Sequence, residues 1–573
     1  ENSYLASGQG IAFLNTTVRE VNLNIADNTI TGNANQGISL ANLSGTIAIT
    51  NNNIFDTTGT AGNIDNINPN NSELFTGQGI AFHNERLQTV NLTIDGNKLR
   101  RNTSRGISLV NLLGEINITN NEISDTREEM LLPGTNTAFP TGQGVVFTND
   151  VRRGEVVLTI ADNQILRNIN QGILLTEING TITIENNRIA DTRGKLAVFN
   201  QDNLNRLDFS AFTAINDIND FNDQANLDST VAVIESRLPT GQGILVGNAI
   251  DRLNLTINNN QISNSGSHGI ALTNLRDQVT VTGNTVTGTS GAIGDPNNGE
   301  FSTGEGIFVN HINRRLNLTI EINQIRDNFE DGIVMILGEP TGDLPVTAPP
   351  RADISIAGNI VANNGVNTTN STSDEIRGDG IRIFLEGNAI VNSLDISNNM
   401  ILDNQDDGIQ ISQGELTAGI SGNGGTSQLN NATISNNEIR DQVQQGINVR
   451  AVGGTANLSI ENNPSISQNG GEGIFISAGG TLDGNAEINV DVLSNLLIDN
   501  AVPDFSGIAT NMLGLIPVPD GGRLCVNLSA NESATGYLLT NLGGTLQLVV
   551  PPNVDGMGPI LPMGNITNVM ACP

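Results

Sequence analysis

One motif returns from end to end of this chain: Gly-Ile-x-(Leu/Phe/Val), a short apolar alternation, then Asn-x-Ile-x-x-Asn. It reads Gly79-Ile80-Ala81-Phe82 running on to Ile94-Asp95-Gly96-Asn97-Lys98-Leu99, and again Gly106-Ile107-Ser108-Leu109 running on to Ile118-Thr119-Asn120-Asn121-Glu122-Ile123. Where nothing intervenes the spacing is fixed. Asn28 and Asn52, Asn97 and Asn121, Asn163 and Asn187, and Asn260 and Asn284 are each separated by 24 residues. A fixed period with period-2 alternation inside it predicts a solenoid of short strands, one coil per copy. Helices do not fit, because β-branched residues fill the apolar slots and Asn or Gly closes each run.

On these residues the chain resembles the right-handed parallel β-helix (pectate-lyase-like) superfamily. The likeness covers roughly the first 500 residues and implies an all-β solenoid with three short strands per coil. Coil-opening glycines such as Gly10, Gly37, Gly172, Gly332 and Gly473 give about 14–15 coils, a rod on the order of 65 Å at ~4.8 Å per stacked strand. The expected organisation is a β-helix over 1–510 and a small β-rich C-terminal module over 511–573. Repeated Asn suits a corner, since its short amide tolerates a left-handed backbone and bonds nearby main chain. Stacked corners predict an amide ladder through Asn28, Asn52, Asn97, Asn121, Asn163, Asn187, Asn260 and Asn284, continuing through Asn323, Asn359, Asn399, Asn437 and Asn463.

A second period lies over the first. Thr-Gly-Gln-Gly at Thr76, Thr141 and Thr240, with a variant at Thr303, marks alternate coils. Extra sequence enters once per pair, at 59–75, 127–140, 194–239, 288–302 and 414–430, so these inserts are expected along one edge, a variable and interacting surface.

A formal net charge of -33 argues against nucleic acid or anionic membrane as partner and favours divalent cations. No apolar run is long enough to span a membrane, and Glu1 opens neither a signal peptide nor an initiator Met, which suggests a processed or truncated product. The two cysteines, Cys525 and Cys572, both fall in the tail and are expected to pair, in an extracellular or periplasmic setting. The tail, with Leu524-Cys525-Val526-Asn527-Leu528 and Gly543-Gly544-Thr545-Leu546, resembles the ends of large secreted β-helix surface proteins of cyanobacteria. At the other end the repeat begins by Gly8-Gln9-Gly10. Residues 1–7 are too few to cap an open coil, so either upstream sequence is missing or a second copy covers that end in a head-to-tail filament.

Many parallel β-helices act on polysaccharides, yet the motifs of those enzymes are largely absent: no Asn-Thr-Asp, Gly-His-Gly or Arg-Ile-Lys, and no Asp-Pro-His. Ser267-His268-Gly269 and Asp406-Asp407-Gly408 are the nearest relics. With no Trp and two Tyr the chain has little to stack on a sugar ring, and His83, His268 and His311 are isolated from one another. One constellation stands out. The residue before the coil-opening Gly runs Gln9, Gln36, Gln78, Arg105, Gln143, Gln171, Gln242, His268, and then Glu305, Asp331, Asp379 and Asp407. Four carboxylates stacked ~4.8 Å apart raise one another's pKa unless a cation or Arg sits among them. Asp327, Asp403 and Asp441 form a second acidic column. The candidate roles are a solvated face balanced by Arg326, Arg377, Arg382 and Arg440, calcium ligation by Glu305, Asp331, Asp379, Asp407, Asp327 and Asp403, or a paired-carboxylate glycosidase. A further acidic group, Asp217, Asp220, Asp223 and Asp228, matches neither an EF-hand loop nor a Gly-rich calcium repeat. The sequence therefore predicts a secreted structural or adhesive solenoid, calcium-stabilised and self-assembling, with a polysaccharide-binding or polysaccharide-cleaving protein as the alternative.

Overall fold

The computed structural model describes residues 8–58, 77–126, 130–131, 138–139, 142–149, 154–193, 241–247, 252–291, 303–312, 315–338, 349–365, 378–414, 426–479, 485–501, 503–510, 512–513, 516–517, 521–549 and 559–572. The edge inserts lie wholly or largely outside these residues, as do Thr76, Thr141, Thr240, Arg377 and the acidic group from Asp217 to Asp228. The chain divides into two compact units, Glu1–Leu275 with Thr289–Gly304, and Arg276–Gly288 with Glu305–Pro573.

Both units are built from the same coil, and no helix occurs among the described residues. In unit one, Val145–Thr148, Val156–Ala161 and Gln164–Leu166 make one turn, and each strand pairs in parallel with its counterparts one coil before and one coil after. In unit two, Ile381–Leu385, Ile390–Ser397 and Met400–Leu402 do the same. This is the right-handed parallel β-helix expected from the repeat. Alternation sends every second side chain inward, so the residue after each coil-opening Gly forms an apolar column. Ile80, Ile107, Val145 and Ile173 fill it in unit one and Ile333, Ile381, Ile409 and Ile447 in unit two, all fully buried.

The Gly that recurs beside that column, replaced by Asp504 before Phe505, has a steric cause. A Cβ at Gly106 would stand 2.3 Å from Ile123 Cγ2 and 2.6 Å from the Gly144 carbonyl oxygen, and one at Gly380 would stand 2.5 Å from Ile401 Cγ2. At these two positions only a residue without a side chain lets the coil close against its short third strand.

Corners differ from the expectation in one respect. The ladder asparagines are not themselves left-handed; the residue before each one is. Asp27, Asn51, Asn120, Asp162, Asn186, Asn259, Asn398 and Asn436 all sit at φ 53–59°. A second left-handed corner follows four residues after the ladder, at Asp56, Arg101, Asp125, Arg167, Asp191, Asp327, Asp403 and Asp441. The left-handed residue reverses the chain, and that frees the ladder Asn to turn inward. Asn121 shows the result. Its Nδ2 donates to the Ile94 and Thr119 carbonyls at 2.8 Å each and to Asn163 Oδ1 at 3.0 Å, while its Oδ1 accepts from Asn97 N and Nδ2. The ladder is unbroken from Asn28 to Asn260 in unit one. In unit two it runs from Asn284 through Asn463 and on to Asn495 and Asn531.

Parallel pairing does not stop at residue 510. Arg523–Ser529 pairs with Ala486–Leu493, Tyr537–Leu542 with Phe505–Thr510, and Ile560–Met563 and Ile566–Val569 follow. The segment read from sequence as a C-terminal module thus carries strands of the same stack. Cys525 and Cys572 form a disulfide with Cα atoms 5.6 Å apart, tying the last strands to Arg523–Ser529.

Candidate functional site

The residue before each coil-opening Gly is placed by main-chain bonds. Gly306 N donates to the Asp331 carbonyl, Gly332 N to that of Asp379 and Gly380 N to that of Asp407, at 2.9–3.0 Å, so these residues stack one per coil in unit two. The chain direction there also buries them: Glu305 is 4% exposed, Asp331 3%, Asp379 0% and Asp407 1%. One oxygen of each stacked Asp is occupied by main chain. Asp331 Oδ1 accepts from Gly378 N and Asp379 N, Asp379 Oδ1 from Asp407 N, and Asp407 Oδ1 from Gln445 N, at 2.6–2.9 Å.

The second oxygens carry the chemistry. Asp407 Oδ2 accepts from Asn448 Nδ2 at 2.5 Å and Gln410 Nε2 at 3.4 Å. Asp379 Oδ2 is buried and accepts no hydrogen bond; Arg382 Nε lies 3.5 Å away, a charge contact only. Arg382 Nη1 stands 3.7 Å from Asp331 Oδ2, and its guanidinium rests on Phe384, 4.5 Å from the ring centre. Asp406, half-buried beside the column, completes the group. Oxygens of Asp379, Asp406 and Asp407 converge to within 4.8 Å of one another.

Crowding and burial act on these carboxyls in the same direction. Burial first, then the Asp331 charge, hold Asp379 well above the usual carboxylate range. Burial and the Asp407 charge push Asp406 up to about 8. Asp331 and Asp407 are also raised by burial, the first opposed by Arg382 and the second by the Asn448 and Gln445 bonds. Burial works against the charge on Arg382, but Asp331 and Asp379 outweigh it and raise its pKa.

The structure therefore brings together Asp331, Asp379 and Asp407 of the sequence candidates, with Glu305 acting on Asp331 by charge. Asp327 and Asp403 fall outside the converging group; both are exposed, and the left-handed backbone at φ 57° and 55° is itself a reason for Asp there. Arg382 and Arg440 engage carboxylates, Arg440 with Glu438 and Asp441. Asp406 was missed as a site residue because it lies one place off the column, although the Asp406-Asp407-Gly408 run had marked the spot. The histidines share no site: burial lowers His83 to about 4, and His268 and His311 are buried in different units. Among the described residues no helix is long and apolar enough to cross a membrane.

Neither a protein-family model nor a curated protein matches the chain. A solved structure, the A-module of mannuronan C-5 epimerase AlgE6 from Azotobacter vinelandii, is similar at a TM-score of 0.30 and 11% identity, over 92% of this chain and 91% of that one. At that level the likeness brings no activity, substrate or metal to this chain.

Proposed function

We propose that this protein is an extracellular structural or adhesive solenoid whose second unit is locked by a divalent cation at Asp379, Asp406 and Asp407. The observation that carries the reading is that oxygens of those three carboxylates converge to within 4.8 Å of one another, where Asp379 also holds a buried oxygen, Oδ2, that accepts no hydrogen bond. Hard oxygen donors of this kind suit calcium, with water completing its shell. The repeat supports a mechanical role, because its Gly, its Asn and its left-handed corners each have a stacking function in the fold. A disulfide supports an oxidising, extracellular setting. Head-to-tail association of copies is part of this proposal, and so is contact with cell-surface polysaccharide.

Thermal unfolding of the full chain, with calcium and with chelator, tests the cation. Calcium should raise the midpoint of one transition in the native chain and leave Asp406→Asn unchanged. Equal midpoints in both buffers would remove the cation from the proposal. Negative-stain imaging in the same buffers tests assembly: filaments support it, and single particles at all concentrations defeat it.

A second reading rests on Asp406 alone. A half-buried carboxyl pushed up to about 8, beside the buried Asp407, would suit the acid half of a paired-carboxylate hydrolase. Reducing-end release from a panel of polysaccharides, lost in Asp406→Asn, would replace the structural reading with an enzymatic one.

A further inference from the structure

Unit one contains a cleft of about 370 Å³ at the second corner of its later coils. Its walls come from Arg167, Asp191, Arg193, Asn264, Gly266 and Ser290. Two guanidiniums on one cleft are unusual in a chain of net charge -33, which has 26 Lys and Arg against 59 Asp and Glu. They are held differently. Arg167 is fixed by a two-pronged ion pair, Nε to Asp125 Oδ1 at 2.7 Å and Nη2 to Asp125 Oδ2 at 2.9 Å. Asp191 accepts from Asn264 Nδ2 at 2.9 Å. The Arg193 guanidinium has neither an ion pair nor a hydrogen bond among the described residues.

A second donor is also unused. In this corner column Thr103 N donates to Thr57 O at 3.0 Å, Arg193 N to Asn168 O at 3.0 Å and Ser290 N to Ser265 O at 2.7 Å. Gly266 occupies the corresponding place, and its N–H makes no such bond. The Ser290 hydroxyl makes one long contact, 3.4 Å to Ser265 O, and keeps most of its donor capacity. Among the described residues the cleft is thus lined by a guanidinium and a main-chain N–H that have no partner, and by a hydroxyl. The carboxylate of Asp191 and the amide of Asn264 supply acceptors beside them. Among the described residues no aromatic side chain lines it, and those that do offer hydrogen bonding and charge.

We propose that this cleft is a binding site for an oxyanion carried on a small hydroxylated molecule. Arg193 and the Gly266 N–H take the anion, and Asp191 and Asn264 take hydroxyl groups. The site is separate from the acidic group of unit two and does not depend on a cation there.

Titration calorimetry on the full-length chain, in low-salt calcium-free buffer, tests this with sodium glucuronate, sodium sulfate and glucose. Glucuronate should bind, sulfate more weakly, and glucose not at all. Arg193→Ala should lower glucuronate affinity at least tenfold and Arg193→Lys less, since lysine keeps the charge and loses the fork. Arg193 is exposed, so its variants should melt with the native chain. Absence of glucuronate binding, equal binding of glucose, or full affinity in Arg193→Ala would each overturn the assignment.

Discussion

The two units use one backbone and charge it in opposite ways. Before the coil-opening Gly, unit one carries amides, an Arg and a His, from Gln36 to His268, where unit two carries Glu305, Asp331, Asp379 and Asp407. The second corner shows the same contrast. In unit one Asp56 pairs with Arg101 and Asp125 with Arg167, acid and base alternating up the column. In unit two that column holds Asp327, Asn363, Asp403 and Asp441, and no guanidinium among the described residues reaches Asp327 or Asp403 within ion-pair distance. A solenoid position fixes the backbone and the direction of the side chain but leaves its charge open. In the second-corner column unit one sets acid against base, and before the coil-opening Gly unit two stacks carboxylates with Arg382 beside them.

The largest effect should be common to both units. Asn121→Ala in unit one and Asn399→Ala in unit two each leave several buried main-chain and amide groups without partners, at a cost of roughly 3–5 kcal/mol. Chemical denaturation of each variant checks it, and a loss under 1 kcal/mol in either unit would show that its ladder is ornamental. Next comes a transplant. Gln171→Asp puts unit two's carboxyl into a unit-one position that is 2% exposed, and should cost about 2–4 kcal/mol at pH 8 and much less at pH 4.

A pH series without cations separates the units by direction. The Asp406 carboxyl rises from an ordinary 3.8 to about 8 on folding, so its contribution is fully present below about 4 and is lost as pH climbs through about 8. Unit two should therefore weaken from pH 5 to pH 8, and calcium should cancel the trend. A flat cation-free profile would contradict the raised carboxyl. Smaller effects test the corners. Ile322 is β-branched, 67% exposed and left-handed at φ 57°, so Ile322→Asn should stabilise unit two by about 1 kcal/mol, read from the denaturation midpoint. Arg167→Ala should cost no more than about 0.5 kcal/mol, and less in high salt, because the pair is open to solvent.

How far the fold was legible follows from which positions keep one residue type. The Gly-Ile column and the Asn ladder were readable because stacking permits almost no substitution there. A second inner ladder was not read. It lies about five residues after the first, from Thr57 to Asn102 in unit one and through Asn328, Asn364, Asn404 and Gln442 in unit two. Thr, Ser, Asn and Gln all serve at that position, so no single letter repeats. The stacked carboxyls were legible from register alone, whereas Asp406 needed the path of the chain. The unit-one cleft left no mark in the sequence, since Arg193 and Gly266 gain meaning only where two coils meet.

The Asn ladder also has a sense of direction. In every rung the main-chain N–H and the amide Nδ2 of one Asn donate to the oxygen of the Asn one coil later in sequence, and never the reverse. A coil that has just folded therefore presents donors toward the part of the chain still to come, and each newcomer brings the matching acceptor. The stack closes like a zip whose open teeth always face the growing end. The two ends of such a stack are therefore chemically unlike, with ladder donors left open on the C-terminal side and a ladder acceptor left open on the N-terminal side.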